Sequence, residues 1–182
     1  MPSARLPGRS CAGSWTMATN WAGTGLPAGT SCTTVIERAT VDTNILIYSI
    51  DAAEGHKHGV ARRIVDALSD AGAVIPLQAL NEFYFVCSRK RKMPVQEAQA
   101  FNRSLMKRLK VVGPSPEDLA DAMQIHQQGA MQFFDALLVA TAARAGCAVL
   151  LSEDMQHGYS TGGLTIVNPF ALSEPELDQL LS

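Results

Sequence analysis

Apolar residues follow two different spacings along this chain. Short runs such as "ATV" (39–41), "AVIP" (73–76), "KVV" (110–112), "CAVLL" (147–151) and "LTIV" (164–167) are bounded by polar or turn-forming residues. They read as short buried strands. Between them lie longer segments with apolar positions three and four apart. "GVARRIVDALSDAG" aligns Val60, Ile64, Val65 and Leu68 on one face and stops at Gly72, which predicts an amphipathic helix. "LQALNEFYFVCSRKRK" predicts another, its basic end complementing the helix dipole. Pro94 opens a third. Ser115 and Pro116, followed by Glu117 and Asp118, form a strong start for a fourth. "FFDALLVATAARAG" is a fifth, closed by Gly146. Near the start of the domain, Thr43 or Asn44 can cap a short helix begun by "ILIY", and "DAAEGHKH" reads as a loop. Strands alternating with helices predict an α/β domain with a mainly parallel sheet. In such sheets, sites form beyond the carboxyl ends of the strands.

Composition divides the chain. Residues 1–34 contain both tryptophans, Trp15 and Trp21, and no acid. They are rich in Gly, Ser, Thr, Pro and Ala and read as a disordered extension. Residues 35–172 carry the alternating pattern and form the domain, and 173–182 read as an acidic tail. No apolar run reaches the roughly 18 residues of a membrane span. Cys87 and Cys147 lie in apolar surroundings and read as reduced core residues, as expected of a cytoplasmic protein. Cys11 and Cys32 lie in the extension, and the four cysteines include no C-x-x-C pair, so structural zinc is not expected.

The formal net charge of −2 hides two poles. Arg89, Lys90, Arg91, Lys92, Arg103, Lys107, Arg108 and Lys110 crowd one stretch that holds a single acid, Glu97. From Glu117 onward there are nine acids and one base, Arg144. The basic stretch fits a rim that tracks phosphates or, for any one residue, a solvated helix face. Tyr84 and Phe101 could stack on bases but suit a core better. His56 and His58 read as an exposed loop pair, while His126 and His157 have no evident partner.

Most acids, among them Asp66, Asp70, Glu97, Asp118 and Asp121, fall on mixed polar faces and read as solvated. Four stand apart. Asp42 ends the first strand, and Glu82 is the single charge in "ALNEFYFVC". Asp135 is the single charge from Met131 to Ala143, and Asp154 follows "CAVLLSE". Each has an ordinary explanation, as a helix cap, a first-turn acid or a turn residue. Together, four acids on four elements with no Lys or Arg close by in sequence suggest one shared counter-charge. A hard divalent cation suits an all-oxygen set.

"VDTNILIYSID", "LQALNEF", "FFDALLVATAARAGCAVLLSEDM" and "LTIVNPF" together resemble a PIN domain, and more narrowly the VapC-type toxin ribonucleases of toxin–antitoxin modules. The resemblance runs from about Glu37 to Phe170. It implies an α/β/α sandwich, Mg²⁺- or Mn²⁺-dependent hydrolysis of RNA phosphodiesters, a protein antitoxin and a homodimer. It places Asp42, Glu82, Asp135 and Asp154 at the acidic metal-binding positions. Asp42 and Asp135 would be direct ligands, with Glu82 and Asp154 binding directly or through water. Thr43, Asn44 and Ser152 would shape the pocket. Glu153 stands where many relatives carry Asn or Asp. The alternative is an inactive PIN-like protein that acts through an antitoxin and operator complex.

Overall fold

The computed structural model describes residues 34–90 and 93–182, and no side chain at 90. The extension, with Cys11, Cys32, Trp15 and Trp21, therefore lies outside the described residues apart from Thr34, as do Arg91 and Lys92. Strand β1 (Ala39–Val41) leads into helix α1 (Thr43–Ile50), followed by α2 (His56–Ala71), β2 (Val74–Pro76), α3 (Leu77–Lys90) and α4 (Val95–Arg108). Then come β3 (Lys110–Val112), α5 (Pro116–Gln127), α6 (Phe133–Arg144), β4 (Val149–Leu151), β5 (Ser160–Thr161), β6 (Leu164–Val167) and α7 (Glu174–Leu181).

The order in the larger sheet is β1-β4-β6-β5, parallel except for the β5–β6 hairpin. β2 and β3 form a separate parallel pair, with β2 lying beside β1. The architecture is an α/β/α sandwich around a mainly parallel sheet. The predicted strands are all present. β5 is an addition, because "STGG" reads as turn chemistry and gains its strand character only from pairing with Leu164 and Thr165.

The central strands are buried along their whole length, which explains their unbroken apolar runs. Helix α1 sits on them through Ile45 and Leu46, both fully covered. Truncating either to Ala would cost about 2–5 kcal/mol. Helix α2 closes on Gly72 in the left-handed conformation (φ 62°), whose N–H bonds Ser69 O. Only Gly adopts that geometry without strain. α2 starts at His56, so His56 and His58 belong to a helix and not to a loop. His58 Nδ1 lies 2.9 Å from Tyr48 O.

The acidic C-terminal segment is α7. Leu177 and Leu180 are buried, and Arg63 of α2 pairs with Glu174 at 2.8 Å and with Asp178. Cys87 and Cys147 are buried, and burial pushes the Cys147 thiol up to about 11. No helix among the described residues is long and apolar enough to cross a membrane.

Asp118 departs from its expected solvated role. It is 1 % exposed and caps Ser115 in a reciprocal capping box, while Arg144 Nε donates to both its oxygens at 2.7 and 2.9 Å. Burial works to raise its pKa, but the Arg144 hydrogen bond and charge outweigh this and hold it below the usual range. The partner lies 26 positions away, beyond the reach of local pattern.

Candidate functional site

Register builds the first corner of the site. Val41 pairs with Leu151 across β1 and β4, and Asp42 N–H donates to Leu151 O at 3.0 Å. The residues just past both strand ends therefore meet. Ser152 Oγ donates to Asp42 Oδ2 at 3.0 Å, and Asn44 Nδ2 approaches the same oxygen at 3.3 Å. Asp42 also caps α1, its Oδ1 accepting from Thr43 N–H at 2.6 Å. The cap is thus Asp42 itself, in place of the expected Thr43 or Asn44. Those two hydrogen-bond the neighbouring side chains, Thr43 to Glu82 and Asn44 to Asp42 and Ser152.

Thr43 links the first carboxylate to the second. Its Oγ1 donates to Glu82 Oε2 at 3.0 Å. Glu82 is further held by Gln78 Nε2, four residues back on α3, at 2.9 Å. The same amide nitrogen reaches Phe134 O at 3.0 Å, tying α3 to the start of α6 where Asp135 sits. Glu82 and Asp154 are exposed, while Asp42 and Asp135 are partly covered. Glu82 thus departs from the buried position that its apolar neighbours suggest. Its face of α3 opens to solvent, and Ala79 takes the buried side.

Electrostatics show that the four acids share one region. Burial pushes the Asp42 carboxyl up to about 6, with Asp135 and Glu82 adding repulsion. Asp135 is raised first by burial, then by Glu82 and Asp154. Every charge named as acting on these two carboxyls is negative. Lys57, the base near Asp154, is engaged elsewhere, 2.6 Å from Glu153 Oε1 and over the Tyr48 and Phe170 rings. Tyr48 OH donates to the other Glu153 oxygen at 2.5 Å. Glu153 is lowered by these two partners and turns toward them.

The donor chemistry fits a hard cation. The acids are all oxygen donors, no cation acts on Asp42 or Asp135, and Asn44 Oδ1 is buried without a hydrogen-bond partner. Unpartnered buried acceptors of this kind are uncommon and call for a donor or an ion. Among the described residues no three His, Cys, Asp or Glu side chains converge into a ready cage.

The basic rim is only partly free. Arg103, Lys107 and Lys110 are exposed, Arg89 lies over the Phe85 ring at 5.2 Å, and Arg108 is paired with Asp70 at 2.7 Å. Phe101 packs on Phe83 in the core, and Tyr84 is half-buried against it. His126 and His157 each meet a backbone partner, Met131 O and Asn168 N–H. Among the described residues the exposed aromatics are instead Phe85 and Phe134. Their apolar character is plain in the sequence, but the lack of a covering element is a tertiary fact.

The family model described as "PIN domain" matches residues 39–157, well over half of the chain. Comparison of the sequence with curated proteins finds no match. Among solved structures, a toxin–antitoxin complex from Klebsiella pneumoniae is similar at 19 % identity and TM-score 0.54, covering 74 % of this chain and 99 % of that one. VapBC2 from Rickettsia felis, bound to a promoter DNA fragment, is 16 % identical with TM-score 0.51, covering 70 % and 96 %. FitAcB from Neisseria gonorrhoeae is 13 % identical with TM-score 0.50, covering 74 % and 99 %. At these identities the likeness speaks for the fold.

Proposed function

From the premise that this chain belongs to the PIN-domain family, we propose that it is a metal-dependent endoribonuclease and the toxin of a toxin–antitoxin module. One observation carries the reading: Asp42 and Asp135, partly covered at the carboxyl edge of the sheet, are acted on by the other site acids and by no cation. Such an arrangement is unfavourable by itself and becomes favourable once a cation enters.

Mg²⁺ or Mn²⁺ would supply Lewis-acid stabilisation of the phosphoryl oxygens and activation of a water nucleophile. Asp42 and Asp135 would hold the ion. Glu82 and Asp154 would complete the set, directly or through water. Thr43 N–H, Asn44 and Ser152 hold the Asp42 carboxylate by hydrogen bonds to both its oxygens. An acidic pocket repels the RNA backbone in the metal-free state and stops doing so when loaded. Arg89, Arg103, Lys107 and Lys110 would steer the phosphates. A protein antitoxin belongs to the same reading, supported by the toxin–antitoxin assemblies that share this fold; the homodimer rests on the family resemblance alone.

The test is cleavage of RNA by purified protein with Mg²⁺ or Mn²⁺ and with chelator. Wild type should cleave only with the ion, while Asp42→Ala and Asp135→Asn should not cleave despite intact folds. Metal-dependent cleavage that survives in both variants refutes the site.

A further inference from the structure

Gln78 joins two elements of the site with one atom. Its amide nitrogen donates to Glu82 Oε1 at 2.9 Å, four residues further along α3, and to Phe134 O at 3.0 Å, 56 positions away at the start of α6. Both partners are pure acceptors, so only the nitrogen end of the amide can face them. The first bond is a common pairing of helix neighbours. The second is not, because it leaves the helix. The Phe134 carbonyl belongs to the peptide unit that leads into Asp135, so Gln78 links one site carboxylate to the backbone of another. Thr43 Oγ1 holds the second Glu82 oxygen at 3.0 Å. Glu82 is thus tied to α1 by one oxygen and, through Gln78, to α6 by the other. Gln78 is neutral. A Lys or Arg in its place would also donate, but would cancel the charge that it holds in position. The amide leaves Glu82 and Asp135 repelling each other and opposes their separation.

We propose that Gln78 is a positioning residue: through Glu82 and the Phe134–Asp135 peptide it sets the spacing of two site carboxylates for a divalent cation. The inference rests on the metal-dependent reading above and deepens it. Side chains that orient ligands without touching the ion govern affinity strongly, since a ligand held in place loses less freedom on binding. Gln78 itself is half-buried, and both its bonds lie at the surface. Its loss should therefore be felt in ion binding and not in the fold.

The experiment is calorimetric titration of Mn²⁺ into the metal-free full chain. Gln78→Met keeps the length of the side chain without a donor, and should raise the Mn²⁺ Kd by ~10-fold. Urea denaturation without metal should give the wild-type midpoint. In a Glu82→Gln background the same substitution should change the Kd little further, because the coupling runs through the Glu82 carboxylate. A wild-type Kd in Gln78→Met would overturn the proposal and leave the metal-dependent reading standing. A full tenfold loss that persists in the Glu82→Gln background would overturn it too, as would a lowered midpoint in metal-free Gln78→Met, which would assign the two bonds to the fold. Wild type that takes up no Mn²⁺ would instead bring down the metal-dependent reading, and this inference with it.

Discussion

Ser152 donates a hydrogen bond to Asp42 at 3.0 Å across 110 positions of chain. The contact exists because parallel pairing of β1 with β4 brings both strand ends to one edge. The bond stabilises ionised Asp42 against the burial that pushes its pKa up to about 6. Ser152→Ala should therefore move that pKa higher still, as followed by carboxylate NMR in metal-free protein. Cleavage should fall by ~10-fold near pH 6, the scale of losing a partner that orients a ligand, and recover toward alkaline pH. A pH profile superimposable on wild type would show that Ser152 does not tune Asp42.

Asp42 also weakens the metal-free fold. Its folded pKa of about 6 lies above its ordinary value of 3.8. The folded state thus binds the extra proton between those values, and stability present below about 3.8 is lost as pH rises through about 6. The full effect is on the order of 3 kcal/mol. Asp42→Asn keeps a good helix cap and removes the charge. Chemical denaturation without divalent ions at neutral pH should show it more stable than wild type by about 1–3 kcal/mol. Its cleavage rate should drop by ~10³-fold, several kcal/mol of lost cation stabilisation. Added Mn²⁺ should stabilise wild type and not the variant.

Glu153 and Asp154 are neighbours with different work. Glu153 is occupied on both oxygens, by Lys57 and Tyr48. Asp154 is exposed and acts on Asp135. Glu153→Gln should leave cleavage within about fivefold, whereas Asp154→Asn should lower it by ~10–100-fold, measured under matched metal. Equal losses in the two would make Glu153 a ligand.

Much of this was legible in residue order. The strand ends at Val41 and Leu151 place Asp42 and Asp154 at one edge, and "ALNEFYFVC" marks Glu82 as out of place on an otherwise apolar stretch. What stayed hidden depends on tertiary contacts. Helix α2 begins ahead of its apolar face, at His56, because the preceding Gly55 (φ 56°) can turn the chain sharply. The pairing that makes Ser160 and Thr161 a strand is supplied by β6. Periodicity also cannot tell Phe101, which has Phe83 to lie against, from Phe134, which projects into solvent. The same limit hid Arg144 from Asp118.

Asp118 and Arg144 together fasten the start of α5 to the end of α6, the helix that carries Asp135. Asp118 is covered, while the Arg144 side chain is 45 % exposed and also donates to Gly113 O at 2.9 Å. Arg144→Leu would leave a covered carboxylate with only its capping partners. Loss of that partner should destabilise the fold, by less than the loss of a fully buried one because solvent reaches Arg144. The depressed Asp118 pKa sets the sign with pH. Its contribution is present above the unfolded value of about 3.9 and disappears as pH falls through the folded value. Urea denaturation at neutral pH and at about pH 3 should thus show a gap between wild type and Arg144→Leu that narrows on acidification. The double variant Asp118→Asn with Arg144→Leu should recover part of the loss, since an uncharged amide can remain covered at lower cost. A gap that is independent of pH would assign the effect to lost packing of the Arg144 stem and not to its charge.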